Sequence, residues 1–317
     1  MSTLVSLGCS WTFGVGVGYD ELVDISRDIF PYNFTEQQYN NIKGVDYPTY
    51  EDFVKNRKNK NFFPDFVWQE LVTASEFDYR IQRYTDIAWN ETIAANHSFR
   101  GIISKSLDLN NDNFSAGGSS NDMQFNIMSN IFGDTKKREH FLDKKPIVLW
   151  GITSTARIFR NNRSIMLSII GDDNVVGANN EEKLYTSLYT KLYYDHEQEV
   201  ANLSNQLELW NIIFDHYDVP VIWFDTFNTH KYSNPPRNFL QGGDLLTQML
   251  KISKIKYKNF LNLYHLSAWE DDDPRITAAV KAKLLNPYSF HPTKQGHKVI
   301  SEILLPHIKK LNKTYYN

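Results

Sequence analysis

The chain has 317 residues, 41% of them apolar, enough for one large α/β domain or one domain carrying a sizeable insertion. Its 34 Lys and Arg stand against 37 Asp and Glu, and the net charge of −3 gives no electrostatic footprint for nucleic acid or an anionic membrane. The N-terminal MSTLVSLGCSW lacks the basic region and apolar length of a signal peptide, no stretch approaches a membrane span, and the single cysteine, Cys9, excludes an internal disulfide framework and a thiolate-rich metal site, so a cytoplasmic protein is expected.

The apolar run Ser2 to Leu7, stopped by Gly8, reads as a buried first strand that delivers the next residues to a sheet edge. From about residue 19 to residue 86 the pattern breaks into Asp, Asn, Lys and aromatic residues, with the polar run KNRKNKN. A segment of that length is expected to be a partly helical insertion or cap within a single domain spanning 1–317. Helical spacing of Ile87, Ala88, Ile93, Ala94, Phe99 and Ile102 predicts a helix over Ile87 to Leu107, and a second strand is expected to end near Phe114. Met123 to Phe132 reads as a helix, and the continuous apolar run Pro146 to Trp150, ended by Gly151, as a buried parallel strand.

A long amphipathic helix is expected from about Asp195 to Tyr217, then a buried strand from Val219 to Phe224 with Asp225 at its end. The last helix is expected from Thr293 to about Leu311, with Val299, Ile300, Ile303, Leu304 and Ile308 on one face. Strands alternating with helices imply a doubly wound parallel sheet, whose ligands sit beyond the carboxyl ends of the strands, where Ser10, Gly118, Thr153 and Asp225 fall. The 18 Tyr, 20 Phe and 7 Trp are read either as lining for a sugar or acyl groove or as packing beneath the insertion.

Three segments carry the chemistry. In Leu7-Gly8-Cys9-Ser10-Trp11-Thr12, a serine directly after a strand and a glycine presents its hydroxyl at the sheet edge, as a nucleophile requires; the same pattern also serves a helix cap. In Asn113-Phe114-Ser115-Ala116-Gly117-Gly118-Ser119-Ser120-Asn121-Asp122, free backbone amides beside the Asn121 side-chain amide suit an oxyanion, and equally an ordinary glycine-rich turn. In Ser289-Phe290-His291-Pro292-Thr293-Lys294-Gln295-Gly296-His297, a histidine before a helix start is placed to reach a serine on strand one; taken singly, His291 and His297 read as surface or capping residues.

The order of these pieces resembles the SGNH, or GDSL-like, hydrolase family over Leu4 to Val17, roughly Trp89 to Asp122, Ile147 to Arg157 and His291 to Leu304. The resemblance implies a flavodoxin-like α/β/α sandwich. It makes Ser10 the nucleophile and, through its amide, an oxyanion donor, Gly118 the second donor and His291 the general base.

Three positions depart from the family pattern. Cys9 replaces the aspartate of the name-giving motif and is expected to point away from the site. Gly151-Ile152-Thr153-Ser154 lacks the oxyanion asparagine, leaving Thr153 as a hydroxyl donor or Arg157 as a cationic one, against a helix cap followed by a surface arginine. Tyr288 stands where the family has its acid; the Tyr288 backbone carbonyl then receives the His291 ring hydrogen, or Asp225, Asp271, Asp272 or Asp273 substitutes.

The implied activity is cleavage of an ester through an acyl-serine, with O-acetyl groups on carbohydrate as the first substrate class and no cofactor; the alternative is a catalytically silent binding module for glycan or protein. A nucleotide loop at Gly14 to Gly18 lacks the required spacing, and a metal site from His265, His291 and Asp271 to Asp273 is disfavoured because the acidic triplet before Pro274 reads as an exposed turn. Oligomeric state is not legible in the sequence.

Overall fold

The computed structural model describes residues 1–14, 17, 36, 49–56, 91–116, 119–160, 163–166, 180–257, 273–285 and 290–316. Four strands, β1 (Thr3–Leu7), β2 (Asn110–Asn113), β3 (Pro146–Ile152) and β6 (Val221–Asp225), form an all-parallel sheet in the order β2-β1-β3-β6. A separate antiparallel hairpin joins β4 (Arg157–Arg160) and β5 (Arg163–Met166). The helices are α1 (Ser10–Phe13), α2 (Tyr50–Asn56), α3 (Glu91–His97), α4 (Phe99–Leu107), α5 (Asn121–Phe132) and α6 (Thr135–Asp143), then α7 (Asn180–Leu192), α8 (His196–His216), α9 (Leu245–Ile252), α10 (Pro274–Lys281) and α11 (Lys294–Tyr315).

β1 and β3 are buried along their whole length, as strands covered on both faces must be, and alternate side chains enter two different cores. Leu4, Ile147, Leu149, Ile222 and Phe224 join the core formed with α4, α9, α10 and α11. Val5, Leu7, Val148, Trp150, Ile152, Val221 and Trp223 join the one formed with α5, α6 and α8. Helices therefore cover both faces of the sheet. Aromatic rings cluster in the second core, where Trp150 stacks on Trp223 at 4.9 Å between ring centroids and Phe132 meets Trp210 and Phe214 edge-on.

β1 has β2 on one side and β3 on the other, so the order of the sheet reverses around its carboxyl end. Such a reversal opens a crevice between the diverging connections, the usual ligand position in open α/β sheets. Gly8 (φ +145°) lets the chain turn there: a Cβ would run into Thr12 Oγ1 and stand 3.0 Å from the Gly151 carbonyl oxygen.

Several expected boundaries move. The helix expected over Ile87 to Leu107 is, in its described part, two helices separated at Ser98. β3 continues past Gly151 to Ile152, and the following Thr153 leads into the β4–β5 hairpin, so it caps no helix. The last helix runs to Tyr315, four residues beyond the expected end, with Thr293 as its cap. Of the insertion expected at about 19–86, only residue 36 and residues 49–56, which contain α2, belong to the described residues. No helix among the described residues is long and apolar enough to cross a membrane.

Candidate functional site

The serine segment, the glycine-rich turn and the Gly151-to-Ser154 segment meet at the carboxyl edge of β1 and β3. The Gly8 carbonyl accepts from the Ala116 amide (3.2 Å) and from Gln124 Nε2 (3.2 Å), which ties the glycine-rich turn to the residue two before Ser10. Gln124 Nε2 also donates to Ser119 Oγ. Asn121 then clamps the Gly151-to-Ser154 segment: its Nδ2 donates to the Thr153 carbonyl (2.9 Å) and its Oδ1 accepts from the Thr153 amide (3.0 Å). The side-chain amide read as an oxyanion group is thus spent on holding the strand end beside the turn. Ser10 opens α1; its hydroxyl, Gly118 and Tyr288 lie outside the described residues and side chains.

α1 is anchored from below. The Phe13 carbonyl accepts from Arg100 Nε (3.1 Å), and Arg100, fully buried, also binds Asn111 Oδ1 (3.0 Å) and Glu91 Oε1 (2.7 Å). Burial pulls the Arg100 guanidinium below its ordinary range, and Glu91 opposes that pull.

The histidine segment is anchored separately. Thr293 donates its amide to the Leu284 carbonyl (3.0 Å) and its hydroxyl to the Lys283 carbonyl (2.7 Å), while the same hydroxyl accepts from the Gly296 amide to cap α11. Pro292 bridges to Leu285. Phe290, a bulky residue at φ 51°, turns the chain immediately before His291, a strained conformation of the sort that concentrates at functional sites. His291 is buried, and Phe290 packs on the core that holds Cys9, Trp11, Leu284 and Leu285, so the histidine loop and the serine turn share one apolar support. His297 is on the last helix as expected but fully buried, its Nδ1 accepting from the Phe99 amide (3.4 Å), which makes it part of the packing of α11 on α4 and no surface residue.

Asp225 stands at the end of β6 as expected, opposite Ile152 of β3. Its Oδ1 accepts from His230 Nδ1 (2.8 Å) and from the Tyr232 hydroxyl (2.8 Å), and its Oδ2 from the His230 amide (2.9 Å). A carboxylate has only acceptors, so His230 carries its proton on Nδ1. Burial and then the Asp225 charge hold the Tyr232 phenol well above its ordinary value. The sequence reading missed His230 and Tyr232; the available signal was a strand-end aspartate followed five residues later by a histidine.

Arg157 is no surface residue. It is 5% exposed, its guanidinium carbon stands 5.4 Å from the Phe227 ring centroid, and burial pulls it below the ordinary guanidinium range against the opposing influence of the Cys9 thiol. Cys9 is buried in the core beside it. Asp273 likewise departs from the expected exposed turn: it is buried, caps α10 through the Arg275 amide (2.8 Å), and pairs with the Arg275 guanidinium (2.7 Å). Asp271, Asp272 and His265 lie outside the described residues, and no cluster of three or more metal-ligating side chains occurs among the described ones.

Comparison with protein-family models, with curated proteins and with solved structures gives no match, so the functional reading stands on the residues themselves.

Proposed function

We propose that the chain is a serine esterase of SGNH type, in which Ser10 attacks the acyl carbon and His291 takes its proton. The Ser10 and Gly118 amides and the Thr153 hydroxyl receive the oxyanion, His291 returns the proton to the departing alcohol, and water then releases the acyl group from Ser10. The observation that carries this reading is the double tie of Gly8 to the glycine turn and of Asn121 to Thr153, which supports three separate pieces of chain around one strand end. Positioning of that kind is what an acyl-transfer site needs before any substrate arrives.

Asp225 has committed both oxygens to His230 and Tyr232, which favours the dyad form, with the His291 ring hydrogen going to the Tyr288 carbonyl. Loss of the acid from a full triad costs on the order of 10⁴ in turnover, so slow hydrolysis is expected. Short acyl esters, such as O-acetyl groups on carbohydrate, are the first class to test.

The experiment combines hydrolysis of p-nitrophenyl acetate with fluorophosphonate labelling located by peptide mapping. Label on Ser10, together with loss of turnover by about 10³-fold or more in Ser10→Ala and in His291→Ala, is the expected result. Absence of both label and hydrolysis from folded protein removes the esterase reading and leaves the silent binding module.

A further inference from the structure

Three arginines are buried among the described residues, and two of them have carboxylate partners: Arg100 has Glu91, and Arg275 has Asp244 and Asp273. Arg157 has none. Its Nε and Nη1 are buried without a hydrogen-bond partner, and its other contacts are a hydrogen bond with Cys9 and an aromatic face. Neither is a carboxylate of the kind that serves Arg100 and Arg275, and removal of a cation from water is costly unless an anion compensates it. The Thr153 and Ser115 hydroxyls are also buried and unpartnered, and they lie on the segments that leave β3 and β2 at the same sheet edge. Buried polar groups without partners are uncommon, and several at one strand end mark a place where a ligand completes the bonding.

We infer that Arg157 receives a permanent anionic group of the substrate, a carboxylate or phosphate, so that the ester cleaved is one whose acyl or alcohol part carries negative charge. The guanidinium is cationic before any reaction begins, and its planar fork fits two oxygens of such a group. A transient oxyanion alone leaves that charge uncompensated through most of the cycle; a charged substrate compensates it from binding to release. The part of the inference that concerns an ester rests on the hydrolase reading, whereas the anion site does not.

The test separates the two. With wild-type protein, kcat/KM is compared for the p-nitrophenyl monoester of adipic acid and for p-nitrophenyl hexanoate, which have the same acyl length and differ in the terminal carboxylate. A preference of about tenfold or more for the charged ester is expected, falling to near parity in Arg157→Met and to an intermediate value in Arg157→Lys, which keeps the charge and loses the fork. Separately, adipate and inorganic phosphate are titrated into Ser10→Ala protein while its melting temperature is followed. One of them raises it, identifying the anion class, and the rise disappears when Arg157→Met is added.

An Arg157-dependent rise without any hydrolysis by wild type leaves the anion site standing and removes the esterase. Equal cleavage of the two esters, with no Arg157-dependent rise from either anion, overturns the anion site and leaves the esterase. A marked drop in melting temperature of both Arg157→Met and Arg157→Lys in anion-free buffer also overturns it, because the guanidinium would then have a partner within the fold.

Discussion

Arg275 and Arg157 are 6% and 5% exposed, and the fold treats them in opposite ways. Around Arg275, between α9 and α10, every part of the guanidinium is used: Nη1 donates to Asp244 Oδ2 (2.8 Å) and Thr247 Oγ1 (3.1 Å), Nη2 to Asp273 Oδ2 (2.7 Å) and the Phe227 carbonyl (3.4 Å), and Nε to both Asp273 oxygens. Both carboxylates serve a second time as helix caps, Asp244 for α9 and Asp273 for α10. Desolvation works against the Arg275 charge, yet Asp244 and Asp273 outweigh it and lift the group above its ordinary value. At Arg157 desolvation wins and the value falls. The pair distinguishes a buried cation held by two carboxylates from a buried cation that has no carboxylate partner among the described residues.

If Arg275 is structural, its removal leaves two buried carboxylates with no cation, the most expensive way to break such a network. Arg275→Met is expected to lose about 3–5 kcal/mol in chemical denaturation. A loss comparable with that of an exposed ion pair, under about 1 kcal/mol, would break the contrast with Arg157 from this side.

The β6 end belongs with the closed region. Tyr232→Phe removes one donor from Asp225 and is expected to cost about 1.5–3 kcal/mol at neutral pH, read from the urea midpoint. It also carries a pH signature. The Tyr232 phenol is held above its ordinary value in the folded protein, so its contribution is complete below pH of about 10 and drains away as pH rises from there toward the folded value. The variant is expected to lose stability less steeply across that alkaline range than wild type.

In both regions the sequence disclosed the frame and hid the buried charges. β3 and the buried part of β6 were legible because strands covered on both faces must be apolar throughout, and Thr293 was legible as a helix start because capping is local. The position of His291 followed from that cap. Arg157 was not legible: nothing near it in sequence distinguishes a buried guanidinium from a surface one, since its cover comes from Cys9, about 150 residues earlier, and Phe227, 70 residues later. The Asp225–His230 contact has no helical or strand period to announce it, and the Asp273–Arg275 pair hides in a triplet that composition alone assigns to solvent. Local rules found the frame and the chain order of the site residues; the pairing of buried charges depends on tertiary distance, which no window of sequence contains.

Asn121 and Thr153 sharpen the comparison within the edge region itself. Asn121→Ala removes two hydrogen bonds and strands the Thr153 amide and carbonyl, with an expected loss of about 1–3 kcal/mol in thermal or urea denaturation.

Thr153→Val is the smallest change and the most discriminating. The Thr153 hydroxyl is buried and makes no hydrogen bond, so replacing it by a methyl of similar shape removes an unsatisfied group and sacrifices nothing in the fold. Stability is expected to stay within about 1 kcal/mol of wild type or to rise. If that hydroxyl is an oxyanion donor, ester cleavage nevertheless falls by about 10²-fold, the scale seen when one such donor is deleted. The two readouts must separate: a protein that melts as before and turns over as before has a Thr153 hydroxyl with no part in the chemistry, and a protein that loses both has one that was holding the strand end. Only stability retained with turnover lost matches an edge whose polar groups are reserved for a substrate.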